Sequence, residues 1–280
     1  MRYIRQIDTL EGWLSGTTAF AMAETLRFQS RNGISGKIAE IGIHHGKSFI
    51  TLAIASNPTD DLIATDCFDN QEANVDFSGH GNLASFKNNL ERFVPHRSVR
   101  IIASDSLEVS NRLDELSIND VRFFSIDGGH TRKITLNDLQ IADKTLHDSG
   151  VCVLDDILNS HWTGVISGLW DFLRSSRGLV PCAMLPNKLV LCRPDKVALY
   201  SGFYRNVFSP ALEKRNVEFL DWEIDVYGEL PAQEWPDFVT FDQSRRIMPK
   251  SRRLPLAMLA WVRRSSLRGR SLTKVITRQA

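Results

Sequence analysis

The sequence predicts an α/β protein, a doubly wound, Rossmann-like seven-stranded sheet with helices on both faces and an antiparallel terminal hairpin. Three observations predict it. Five short apolar runs, KIAEIG (37–42), DLIATD (61–66), VRIIASD (99–105), VRFFSID (121–127) and GVCVLDD (150–156), alternate with segments of helical length, the pattern of parallel strands joined by crossover helices. Acids stand at or near the end of all five runs, as Glu40, Asp66, Asp105, Asp127 and the pair Asp155–Asp156. Two further apolar runs, LVPCAML (179–185) and KLVLCR (188–193), follow one another closely enough to pair as a hairpin.

The elements follow in order. Apolar residues Phe20, Met22, Leu26 and Phe28 mark a helix over 16–29, ended by Asn32-Gly33, within an N-terminal helical segment 1–34. The main domain spans 35–195. After strand one comes a helix over Lys47–Ala55, then strand two, a loop 67–81, a helix near 82–93, strand three and a helix near 107–116. Strand four, a crossover helix from about Thr131 to His147 and strand five form one βαβ unit, which brings Asp127, Asp155 and Asp156 to one sheet edge. A helix over 161–173 and the hairpin complete the domain. Residues 196–243 form an aromatic-rich extension packed on it, and 244–280 a separate tail.

That tail carries 11 Lys/Arg and no Asp/Glu; removing these from a whole-chain net of +1 leaves −10 on residues 1–243. A basic tail with an apolar run LPLAMLAWV between arginine pairs reads as a solvated appendage, as peripheral contact with an anionic membrane face, or as a phosphate-backbone contact. The four cysteines, Cys67, Cys152, Cys182 and Cys192, form no C-x-x-C pair, and the last three lie in or beside apolar runs, as buried hydrophobes do. No secretory signal pattern and no run of about 20 apolar residues is present, so a cytoplasmic setting is expected.

The chemistry-bearing residues concentrate at the strand ends. In Glu40-Ile-Gly42-Ile-His44-His45-Gly46-Lys47-Ser48 the glycines permit close approach of backbone to a ligand, and the following helix offers free N–H groups. Asp66 can accept hydrogen bonds from ribose hydroxyls, and Asp105-Ser106 can read an adenine amino group; each acid could equally cap the next helix. Three clustered carboxylates repel one another unless a cation sits among them, and oxygen ligands favour Mg²⁺, Mn²⁺ or Ca²⁺.

With E-I-G-x-x-x-G-x-S, D-C-F-D-N-Q (66–71), I-D-G-G-H (126–130) and L-D-D (154–156) in this order, residues 35–195 resemble the class I S-adenosylmethionine-dependent methyltransferases. The resemblance is closest to the metal-dependent sugar O-methyltransferases of macrolide biosynthesis and their cephalosporin-hydroxylase-like relatives. It implies a set of cofactor-binding residues: Glu40, Gly42, His44, Gly46 and Ser48 at the methionine end, Asp66 and Phe68 at the ribose, Asp105 and Ser106 at the adenine, and Asp127. It implies Asp127, Asp155 and Asp156 as metal ligands, and His130 with Asp127 as the catalytic pair. Asp155 stands where relatives often carry Glu, and His44-His45 replace smaller residues. Such relatives commonly assemble, which admits a homo-oligomer.

Methyl transfer from a sulfonium needs the acceptor oxygen positioned and relieved of its proton. A divalent ion polarises a hydroxyl, and a histidine has the pKa to take its proton; as residues, His130 reads equally as base, as metal ligand or as a loop histidine. The expected activity is therefore metal-dependent O-methylation of a sugar, glycan or glycosylated natural product. The alternatives are a catechol-type O-methyltransferase and a nucleic-acid-binding protein using the tail. DGGH after strand four, where base amino-methylating enzymes carry D/N-P-P-Y/F/W, argues against amino methylation of a base.

Overall fold

The structure, a computed structural model, describes residues 9–230. The tail 244–280 and the end of the aromatic extension lie outside the described residues. In chain order the elements are α1 (Gly16–Arg31), β1 (Lys37–Ile41), α2 (Lys47–Ala55), β2 (Leu62–Asp66), α3 (Leu83–Phe93), β3 (Val99–Ala103), α4 (Ser106–Val109), β4 (Val121–Ile126) and α5 (Arg132–Thr145). They continue with β5 (Leu146–Leu154), α6 (Thr163–Ser175), β6 (Val180–Leu185), β7 (Lys188–Cys192), α7 (Val197–Val207), β8 (Leu212–Phe219) and β9 (Trp222–Tyr227).

The strands form one sheet of order β3-β2-β1-β4-β5-β7-β6-β9-β8. The seven expected strands are present, with β1–β5 parallel and β7 antiparallel to both β5 and β6. The extension after Pro194 does more than pack on the sheet. Its helix α7 buries Tyr200, Phe203 and Tyr204, and its hairpin β8–β9 lengthens the sheet by pairing β9 parallel to β6.

The sheet is covered on both faces. One apolar layer joins Phe20, Met22 and Leu26 of α1, Phe49 of α2, Phe86 of α3 and Tyr204 of α7; the other joins Val109, Leu139, Val165, Leu169 and Phe172 of α4–α6. Continuous burial along β4 (VRFFSI) fits a central strand with helices on both sides. Its one charged residue, Arg122, is fully buried; it pairs with Asp60 and donates to Leu26 O and Gln29 Oε1, tying α1 to the sheet. Helix starts carry the caps their sequences offer: Ser15 accepts from Thr18 N, Asn82 from Ser85 N and Thr131 from Ile134 N.

Two elements differ from expectation. The helix expected over 107–116 stops at Val109, because Ser110 Oγ and Asn111 Nδ2 both bond back to Leu107 O and compete with helical continuation. Helix α5 ends at Thr145 rather than His147, because Leu146 already pairs with Val121 of β4. Among the described residues no helix is long and apolar enough to cross a membrane.

Candidate active site

The register builds the site. Ile41 pairs with Ile126, Ile126 with Leu154, and Leu154 with Leu189. The next residue along each parallel strand is Gly42, Asp127 and Asp155, and the residue preceding Leu189 on antiparallel β7 is Lys188. Four residues far apart in sequence therefore meet in one row at the C-terminal ends of the parallel strands.

A cavity of about 610 Å³ opens over this row. Of the expected site residues, Gly42, His44, Ser48, Asp66, Asp105, Ser106, Asp127, His130, Asp155 and Asp156 line it; Glu40, Gly46 and Phe68 do not. Glu40 lies buried beneath, accepting from Ser125 Oγ at 3.1 Å. Burial pushes its carboxyl up to about 7, against opposing pulls from Ser48, Lys188 and Ser125. Phe68 stacks on Phe86 in the core. Gly46 caps α2 at φ +91°, where a Cβ would stand 2.6 Å from Phe86, so packing alone already requires glycine there. Gly42, at φ +86°, meets the next strand so closely that a Cβ would lie 1.7 Å from Asp127 O.

Asp66 is the hub of the turn after β1. Its Oδ2 accepts from Ile43 N at 2.6 Å and His44 N at 2.8 Å, and its Oδ1 accepts from Phe68 N. Asp105 caps α4 through Leu107 N at 2.9 Å while still facing the cavity. Under Asp105 and Ser106 lies a residue with no signal in the strand pattern, Asp138 of α5. It is fully buried, burial pushes it up to about 7, and its Oδ2 has no hydrogen-bond partner. Burial and neighbouring His45 hold the His44 imidazole below its ordinary value.

The three expected metal ligands do not converge as a set. Asp155 is buried against Lys188 in an ion pair whose side chains are 11% and 4% exposed. Burial alone would lower the Lys188 ammonium, and Asp155 and Asp127 more than offset it. Asp127 is held well above the carboxylate range by burial and by Asp155. The convergent group is instead Asp127, His130 and Asp156, each offering one donor atom within 4.8 Å of the others. Two carboxylates and one imidazole make a donor set open to Mn²⁺, Fe²⁺ or Zn²⁺ as well as Mg²⁺.

His130 is clamped on three sides. Its Nε2 lies 2.9 Å from Asp156 Oδ2, its Nδ1 lies 3.1 Å from Asp76 Oδ2, and Trp162 stacks on the ring at 4.4 Å. Asp76 Oδ2 also accepts from the His130 backbone N–H. Burial would lower this imidazole, but the bonds to Asp156 and Asp76 and the charge of Asp127 raise it to about 9. Hydrogen bonds outweigh burial at Asp156 too, holding it down at about 2. Asp156 further accepts from Asn159 and Asn187 Nδ2, and its backbone is left-handed at φ +57°. Asp76 and Lys188 were not foreseen. Only the lone charge opening the apolar run KLVLC hinted at Lys188, and Asp76 sits in a loop where one acid among several carries no signal.

With this geometry in view, residues 39–157 match a family described as methyltransferase domain. Residues 39–157 are thus similar to a methyltransferase domain. The fold is shared with an O-methyltransferase from Bacillus cereus in complex with SAH, at TM-score 0.51 and 13% identity over 68% of this chain and 86% of that one. The chain is also similar to the calicheamicin methyltransferase CalS11, at TM-score 0.47 and 17% identity over 68% of this chain and 90% of that one. A further similar structure is the O-methyltransferase TomG of tomaymycin synthesis from Streptomyces achromogenes in complex with SAM, at TM-score 0.48 and 17% identity over 67% of this chain and 83% of that one. No curated protein matches the chain. The matched segment spans the strand-end row from Gly42 to Asp156, with Lys188 supplied from outside it.

Proposed function

We propose that the chain is an S-adenosylmethionine-dependent O-methyltransferase that methylates an aliphatic hydroxyl of a sugar or glycoside with help from a divalent cation. The observation that carries this reading is His130 held between Asp76 and Asp156 at the floor of the cavity. A sugar hydroxyl is far less acidic than a phenol, so its methylation needs a positioned base as well as a cation. Asp76 on Nδ1 would hold the His130 ring in the tautomer and orientation that leave Nε2 toward the acceptor.

The cofactor reading rests on the ring of Gly42, Asp66, Asp105 and Ser106 around the cavity. Gly42 lets the end of β4 close against β1 at the cavity, and Asp66 and Asp105 line the cavity where they would meet ribose and adenine. Asp127 and Asp156 would hold the cation, which when bound polarises the acceptor hydroxyl. His130 takes the proton at Nε2, and Asp76 orients the ring through Nδ1. Trp162, stacked on His130, presents an aromatic wall to the acceptor. The 4.8 Å convergence of Asp127, His130 and Asp156 supports a second reading in which His130 is itself a third donor.

The test is methyl transfer from S-adenosylmethionine to nucleotide sugars and glycosides, with a catechol panel alongside, before and after EDTA and Mg²⁺ or Mn²⁺. Turnover of sugars that EDTA abolishes and metal restores is expected. Exclusive turnover of catechols, or full activity in Asp156→Ala, refutes the reading. His130→Gln separates the two histidine roles. Loss of turnover with unchanged metal affinity identifies the base, and loss of metal affinity identifies the donor.

A further inference from the structure

We infer that Glu11, His44 and His45 form a second divalent-metal site, of zinc type, that fastens the N-terminal segment onto the turn after β1 at the wall of the cavity. Each of the three offers a donor atom within 4.8 Å of the other two. The set shares no residue with Asp127, His130 and Asp156.

Several features bring these groups together. His45 Nδ1 lies 3.3 Å from Glu11 Oε2, already a ligand-to-ligand spacing that a shared metal imposes. The two imidazoles stack at 4.0 Å and 19°, with Trp13 beside the His44 ring at 5.7 Å, so one ring would have to turn out of the stack for both nitrogens to face one ion. His44 Nδ1 is buried and has no hydrogen-bond partner, an arrangement that burial penalises unless a ligand completes it. The His44 backbone is left-handed at φ +53°, and its N–H is fixed by Asp66, so the turn sets where the His44 side chain leaves the chain.

Two imidazoles and one carboxylate with an open fourth position match the donor set of zinc rather than the all-oxygen set of Mg²⁺ or Ca²⁺. Bonds of about 2.0–2.2 Å require the widest pair to close by roughly 1 Å. The Glu11 side chain is 72% exposed, so it can follow a rotation of the His44 or His45 ring. Gly12, Trp13 and His44 all line the cavity, so a metal here would fix one of its walls.

The experiment uses the full chain stripped of metal, carrying Asp156→Asn to disable the other cluster, and titrated with Zn²⁺ against a chromophoric chelator. Uptake of one equivalent is expected, with a visible Co²⁺ band typical of four or five ligands when Co²⁺ replaces zinc. Glu11→Gln and His45→Gln, each added to that background, are expected to weaken binding at least about tenfold. Glu11 is exposed, so its variant keeps the test valid if the histidine variant misfolds. Absence of stoichiometric uptake, or wild-type affinity in a folded Glu11→Gln or His45→Gln protein, overturns the inference.

Discussion

The clamp on His130 makes a quantitative prediction for Asp76→Asn. In the folded chain the imidazole is raised from 6.5 to about 9, and each pH unit of such a rise is worth about 1.4 kcal/mol. Holding the imidazolium thus contributes on the order of 3 kcal/mol. Because the folded value lies above the unfolded one, this contribution is fully present below pH 6.5 and is lost as pH rises through about 9. Asp76 is one of two hydrogen-bonded carboxylates on the ring. Replacing it with the isosteric amide should remove about half the effect, roughly 1.5 kcal/mol, and bring the His130 midpoint down by about one pH unit.

The assay is urea unfolding in EDTA between pH 7 and 9, paired with an NMR titration of the His130 ring. Glu40 and Asp138, both near 7, titrate at the lower margin of this window, and Cys67, pushed up to about 11, titrates above it. Asp127, raised by burial and Asp155, acts in the same direction, so the ring signal is needed to isolate His130. The wild type should lose about 2–3 kcal/mol across the window and the variant distinctly less. A wild-type His130 midpoint at or below 6.5, or identical midpoints in the two proteins, would refute the reasoning.

Three further outcomes follow from the same geometry. Lys188→Met leaves Asp155 buried without its cation and should cost about 3–5 kcal/mol in chemical denaturation; a cost under about 1 kcal/mol would show that the pair is not holding the row together. Gly42→Ala places a Cβ 1.7 Å from Asp127 O at a positive φ, so it should lower the melting temperature and abolish cofactor binding, and a variant with wild-type melting and affinity contradicts the close approach. Asp66→Ala frees the N–H groups of Ile43, His44 and Phe68, and calorimetry should find S-adenosylhomocysteine binding weakened by at least about tenfold, on the order of 1.4 kcal/mol; unchanged affinity removes Asp66 from the site.

Most of the fold was legible because parallel strands announce themselves twice, once as apolar runs and once as acids at their ends. The strands β1–β7 and the helix α2 follow from that pattern with boundaries displaced by a few residues. The hairpin β8–β9 was not legible: LEKRNVEF alternates weakly and is mostly exposed, and β9 earns its place only by pairing with β6. The early end of α4 turns on Ser110 and Asn111 bonding back to one carbonyl, a local competition that helical periodicity does not reveal.

The site was legible where it depends on chain order and obscure where it depends on register. Asp127, Asp155 and Asp156 read alike as strand-end acids, yet they have three different environments. Asp127 faces Gly42 across a gap only glycine permits, Asp156 turns back on a left-handed backbone to meet His130, and Asp155 faces Lys188. That last difference comes from β7 running antiparallel, which brings the first residue of its apolar run to the end of β5. A buried ammonium among the carboxylates neutralises one of them, so the cation proposed for this site would have fewer charges to balance and a mixed oxygen–nitrogen donor set to bind. The antiparallel strand thereby shapes the end of the parallel sheet, because its register decides which of the cavity's acids is paired with an ammonium.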